Sequence, residues 1–137
     1  MPVIRLEHYL VVSDALELTK TFYSDVLGMS VGYRPELGFV GYWLYLEDVA
    51  CLHLADRVSY ADYKARVGTP VPKQMEDTGA IDHIAFNAAG FGEMVARLEG
   101  RGIAYRQNFV GGVGLRQIFV QDPNGITLEL NFRESEA

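Results

Sequence analysis

At 137 residues the chain can make one ordinary domain, or two very small modules that share a core. A hydrophobic fraction of 49%, with eight Tyr, seven Phe and one Trp, supplies that core and argues against wholesale disorder. The net charge of -6, with basic residues scattered singly, argues against a nucleic-acid track or an anionic membrane surface as partner.

Residues 3–12, "VIRLEHYLVV", read as a strand, after which Ser13 or Asp14 can cap a helix through "ALELTKTFYSDVL" that Gly28 ends. "MSVGY" is a short strand, "PELG" a turn, and "FVGYWLYLE" and "VACLHLA" are two further strands. From Ile81 the order repeats: strand "IDHIAFN", helix "GFGEMVARLEGRG", then strands "IAYRQNFV", "LRQIFVQ" and "ITLELNF". "DPNG" before the last strand is a strong turn signal, and the glycines of "VGGVG" mark a tight turn or a mobile lip. They lack the spacing and the strand–turn–helix setting of a dinucleotide fingerprint.

The two halves keep register. His8 precedes Gly28 by 20 residues and His53 by 45; His83 precedes Gly102 by 19 and Glu129 by 46. This is an internal repeat, with modules at residues 3–56 and 80–133 and a connector at 57–79 that contains Pro70, Pro72 and Gly79. "YADYKARV" within the connector can form a short helix.

Strand alternation separates Ile126, Leu128, Leu130 and Phe132 from Thr127, Glu129 and Asn131, so the second set faces water or a polar cavity. A carboxylate in such a strand is costly without a partner. All three histidines and Glu129 fall on two positions of the repeat, each used twice: His8 with His83, and His53 with Glu129. Imidazole and carboxylate together suit Fe, Mn, Zn, Ni or Co as divalent ions, and two His with one carboxylate leave positions open for substrate or water. Trp43 and Tyr45 share a face and either pack the core or line a pocket; Gln117 can reach a substrate oxygen, and it matches Phe119 in parity. Tyr9 faces away from His8, and Tyr105 is a candidate for the site entrance. Cys51, with apolar flanks, reads as a small hydrophobe rather than a reactive thiol. With no signal peptide or long apolar run, the expectation is a soluble cytoplasmic protein.

"LEHYLVV" and "AIDHIAF" opening the halves, "FYSDVLGM" in the first helix and "DPNGITLELNF" at the close resemble the vicinal oxygen chelate superfamily, the glyoxalase, bleomycin-resistance and extradiol-dioxygenase group. The resemblance covers nearly the whole chain. It implies an α+β fold of two tandem βαβββ modules forming a curved mixed sheet around a concave site, with modules paired within one chain or between two, and a homodimer. It places one divalent metal, Fe or Mn before Zn or Ni, on His8, His83 and Glu129. His53 becomes a fourth ligand or the proton-transfer group, where metal-dependent glyoxalases of this kind carry an acid. The substrate pocket would hold Trp43, Tyr45, Arg116, Gln117, Phe119 and Asn131, with Arg116 the best candidate for a basic clamp. The expected activity is metal-dependent chemistry on a small organic substrate with vicinal oxygens, extradiol ring cleavage first. The alternatives are a glyoxalase-like lyase or isomerase, or a non-catalytic drug-binding protein.

Overall fold

In the computed structural model, residues 2–71, 73 and 76–133 are described; Pro72 of the expected connector and the acidic tail after Arg133 lie outside them. The chain divides into two compact units, residues 1–74 and 75–137.

The first unit contains β1 (Tyr9–Ser13), α1 (Leu16–Thr21), β2 (Ser30–Gly32), β3 (Gly41–Leu46), β4 (Val49–Asp56) and α2 (Arg57–Val67). Its four strands form one sheet in the order β1-β4-β3-β2, with β1 parallel to β4 and the other pairs antiparallel. The second unit contains β5 (His83–Ala88), α3 (Phe91–Gly100), β6 (Tyr105–Val110), β7 (Leu115–Gln121) and β8 (Thr127–Arg133). Its sheet has the corresponding order, β5-β8-β7-β6, and the same pairing senses. The repeat expected from spacing is thus a repeat of topology, one mixed four-stranded sheet per unit.

Three local differences from the sequence reading have physical causes. Strand β1 starts at Tyr9, because pairing with β4 begins at Tyr9↔Leu52; Val3, Ile4 and Leu6 are left exposed. The first helix continues from α1 into a wider π turn at Phe22–Val26, where the Leu27 N–H donates to the Phe22 carbonyl at 3.3 Å. That turn buries Phe22, Tyr23 and Val26 and closes at Gly28, whose φ of +79° lets the Met29 N–H reach the Tyr23 carbonyl. The connector opens with the 11-residue α2, longer than "YADYKARV". The Asp56 carboxylate caps it by accepting the Ser59 N–H at 3.0 Å, and Gly68 ends it in the left-handed region.

In β8 the alternation holds residue by residue: Leu128, Leu130 and Phe132 are buried, and Thr127, Glu129 and Asn131 are half-buried. Ile118 and Val120 of β7 and Met94 and Leu98 of α3 are buried as well. Phe91 of α3 meets Phe132 edge to face. The "DPNG" turn is built on Asp122, whose buried carboxylate accepts the N–H groups of Asn124 and Ile126 at 2.8 and 2.9 Å. Among the described residues no helix is long and apolar enough to cross a membrane.

Candidate functional site

Each unit carries part of the expected site. In the second, β5 and β8 run in parallel with Ala85 beside Glu129, which sets His83 and Glu129 on the face away from α3. His83 Nε2 stands 3.6 Å from Glu129 Oε1. The other ring nitrogen is engaged: His83 Nδ1 donates to the Asp82 carboxylate at 2.8 Å. This bond raises the His83 pKa above its usual value, and the charge of Glu129 adds to the effect. It also directs the Nε2 lone pair of the neutral ring toward Glu129.

Glu129 is anchored from its far side. Asn131 Nδ2 donates to Glu129 Oε2 at 2.9 Å, Gln117 Nε2 donates to Asn131 Oδ1 at 3.0 Å, and Asn108 Nδ2 donates to Gln117 Oε1 at 2.8 Å. These residues are neighbours by strand register, Gln117 opposite Asn131 and Asn108 opposite Gln117. Phe119 lies opposite Glu129, with the Arg106 guanidinium 4.3 Å from its ring centroid.

In the first unit, the Glu7 carboxylate accepts a hydrogen bond from His8 Nδ1 at 2.8 Å, repeating the Asp82–His83 arrangement. The rest of that face is aromatic. His53 is stacked between His8 and Trp43, with centroid distances of 3.7 and 4.1 Å and planes within 11° and 13°. His53 Nε2 donates to the Ala50 carbonyl at 3.0 Å. Burial holds the His53 pKa below the usual value, and His8 pushes it the same way. The ring expected as a ligand or proton carrier therefore has Nε2 committed to the backbone and both faces covered. Tyr45, on the same strand as Trp43, donates its hydroxyl to the Tyr33 carbonyl at 2.5 Å. Cys51 is partly buried and burial raises its thiol pKa, as expected of a small hydrophobe.

Arg116 requires a correction. Alternation along β7 puts it on the side of buried Ile118 and Val120, opposite to Gln117 and Phe119. Its guanidinium lies 5.3 Å from the ring centroids of both Phe91 and Phe109. It is a cation packed on aromatics beside α3, away from the Glu129 face. Tyr105 likewise turns toward α3, donating its hydroxyl to Glu99 at 2.7 Å.

The structure brings together His83 with Glu129, and His8 with His53; among the described residues no group of three or more His, Cys, Asp and Glu is placed to hold a metal ion. The His83–Glu129 pair has the chemistry of two ligands: donors bound at about 2.1 Å to one ion stand roughly 3.0–3.6 Å apart. Three participants were missed from the sequence: Glu7, Asp82 and Asn108. The signal for the first two was present, since an acidic residue precedes the histidine in both "LEHYL" and "IDHIA".

A protein from Arabidopsis thaliana described as "Glyoxylase I 4" is 30% identical over 132 residues, spanning 91% of this chain and 68% of that protein. Lactoylglutathione lyase from Agrobacterium tumefaciens shares the fold at a TM-score of 0.66 and 21% identity, with 96% of each chain covered. An antibiotic binding protein from a Streptomyces species does so at 0.67 and 22%, with 98% of this chain and 99% of that one covered. A fosfomycin resistance protein from Listeria monocytogenes reaches 0.69 at 16%, with 95% and 93% covered. The family model for the glyoxalase/bleomycin resistance protein/dioxygenase superfamily matches residues 5–130, and the chain belongs to that superfamily.

Proposed function

We propose that the protein is a divalent-metal-dependent enzyme of the glyoxalase-like lyase or isomerase kind, acting on a small substrate with adjacent oxygens. The observation that carries this reading is the His83–Glu129 pair, Nε2 and Oε1 3.6 Å apart with their far sides held by Asp82 and Asn131. A histidine oriented by a carboxylate and a carboxylate oriented by an amide are what a metal site asks of its supporting residues. In the first unit His8 repeats the arrangement, its Nδ1 donating to the Glu7 carboxylate. A divalent ion held by His83 and Glu129 would supply Lewis-acid polarisation of the substrate's oxygens. Asp82 and Glu7 keep the Nδ1 protons in place, Asn131 holds Glu129, and Phe119 gives that face an apolar wall.

Extradiol ring cleavage rests on the His, His, Glu pattern alone, whereas the relatives with a named chemistry are a glyoxylase and a lyase. This favours the lyase or isomerase reading. Position 53 still departs from that pattern, because His53 is spent on stacking and on Ala50. That observation favours a second reading, a protein that binds its small molecule without converting it.

The test is elemental analysis of anaerobically purified protein, then of Glu129→Ala. The expected result is one transition metal ion per site in the wild type and its loss in the variant; equal metal content in both overturns the metal reading. Turnover of hemithioacetals by the Zn- or Ni-loaded protein supports the lyase, oxygen uptake with catechols supports ring cleavage, and ligand binding without turnover supports the second reading.

A further inference from the structure

The line Asn108–Gln117–Asn131–Glu129 crosses three strands of the second unit, and each member donates to the next. Its direction follows from the last member. An ionised carboxylate accepts hydrogen bonds and cannot donate them, so Asn131 must present its NH2 group to Glu129. That turns Asn131 Oδ1 toward β7, where Gln117 must supply an NH2 group, and Gln117 Oε1 then accepts from Asn108. Three amides with no intrinsic preference are thus aligned in one sense by one charge. Bonds aligned in this way polarise one another and strengthen toward the carboxylate.

We propose that Gln117 is a positioning residue for the candidate metal site, acting through Asn131 to fix Glu129 Oε2 and leave Oε1 toward His83. The inference rests on the metal reading for its purpose, but the alignment itself exists without any metal. It makes a specific demand of position 117: a donor toward Asn131. Glutamate there has nearly the same shape and can still accept from Asn108, yet it competes with Glu129 for the Asn131 NH2 group. The amide of Asn131 then turns its oxygen toward Glu129, and two acceptors meet. The loss at Glu129 follows from a change two residues along the neighbouring strand from the position opposite it.

Gln121 supplies the control. It lies on the same face of β7 as Gln117, and the two flank Phe119, the residue opposite Glu129. Gln121→Glu adds the same charge at the same strand spacing but outside the line of amides. A purely coulombic effect of an added carboxylate favours cation binding in both variants. In competition titrations with Zn2+ and a chromogenic chelator, Gln117→Glu is expected to weaken binding by about tenfold or more, while Gln121→Glu leaves it equal or tighter. Equal behaviour of the two variants overturns the proposal. Gln117→Met, which removes the donor without adding charge, is expected to weaken binding as well, and separates loss of positioning from any misfolding of the charged variant.

A second measurement needs no metal. In 1H–15N spectra of the metal-free protein, Glu129→Ala is expected to move the side-chain NH2 signals of Asn131, Gln117 and Asn108, in decreasing order. Unmoved Gln117 and Asn108 signals overturn the alignment. If the wild type binds no Zn2+ but these signals move in order, the metal reading fails and the positioning of Glu129 stands.

Discussion

Trp43 and His53 sit opposite each other on β3 and β4, and their rings lie face to face at 4.1 Å with planes 13° apart. The stack continues to His8 on the other face of the imidazole. Parallel rings in contact across neighbouring strands are the units from which such a sheet face gains stability, each pair contributing about 0.5–1.5 kcal/mol.

The first prediction follows from the protonation of that central ring. Burial holds the folded-state pKa of His53 below its ordinary 6.5, so between the two values the unfolded chain binds more protons than the folded one. Stability present above pH 6.5 is therefore lost as pH falls through that window. Between pH 6.5 and 5 the thermal midpoint of the metal-free wild type should fall more steeply than that of His53→Phe. An imidazole signal of His53 titrating at or above 6.5 would refute the assignment.

Asp82 acts in the opposite direction on His83. The hydrogen bond from Nδ1 to its carboxylate is the main reason the His83 pKa is raised. Asp82→Asn should bring the His83 midpoint down toward 6.5 in an NMR titration, with the residual elevation owed to Glu129. An unchanged midpoint would mean that Asp82 does not hold the ring in solution.

The turn ahead of β8 depends on one carboxylate. Asp122 accepts from the Asn124 and Ile126 N–H groups and from Asn124 Nδ2, and it is 5% exposed. Asp122→Ala removes the acceptor of two part-buried backbone N–H groups at once and should cost about 1–3 kcal/mol in urea unfolding. A loss below about 0.5 kcal/mol would show that water replaces the carboxylate freely.

Gly41 is fixed by close approach rather than by turn geometry. A Cβ at this position in β3 would overlap the carbonyl oxygen of Leu54 on the neighbouring strand. Gly41→Ala should destabilise the first unit by roughly 1–3 kcal/mol or more, since backbone gives way less readily than a flexible side chain. The wild-type thermal midpoint in the variant would show that the strands can part there at no cost.

The strands, the repeat and the split polarity of β8 were legible in the sequence, because alternation and spacing are written into consecutive residues. Arg116 was misplaced because its charge drew more weight than its parity, although parity already separated it from Gln117. The stacking of His53 was out of reach for another reason. His53 and Glu129 occupy equivalent backbone positions, but their neighbours decide their chemistry, Trp43 in one unit and Phe119 in the other, together with the Ala50 carbonyl that accepts from His53. The carboxylates at Glu7 and Asp82 were visible as letters, yet a residue adjacent in a strand is expected to point to the opposite face. Their side chains fold back onto the neighbouring ring, which no periodicity announces.

The alternation in β8 also limits how this chain can drift. A single residue inserted between Gly125 and Glu129 would carry Glu129 to the α3 side and bring Leu128 or Leu130 onto the face shared with His83. The core would receive an ion and the amide line would lose its terminus in the same event. The run from Thr127 to Arg133 is held to an exact count by two demands of opposite polarity, and its partner strand β7 is held to the same register.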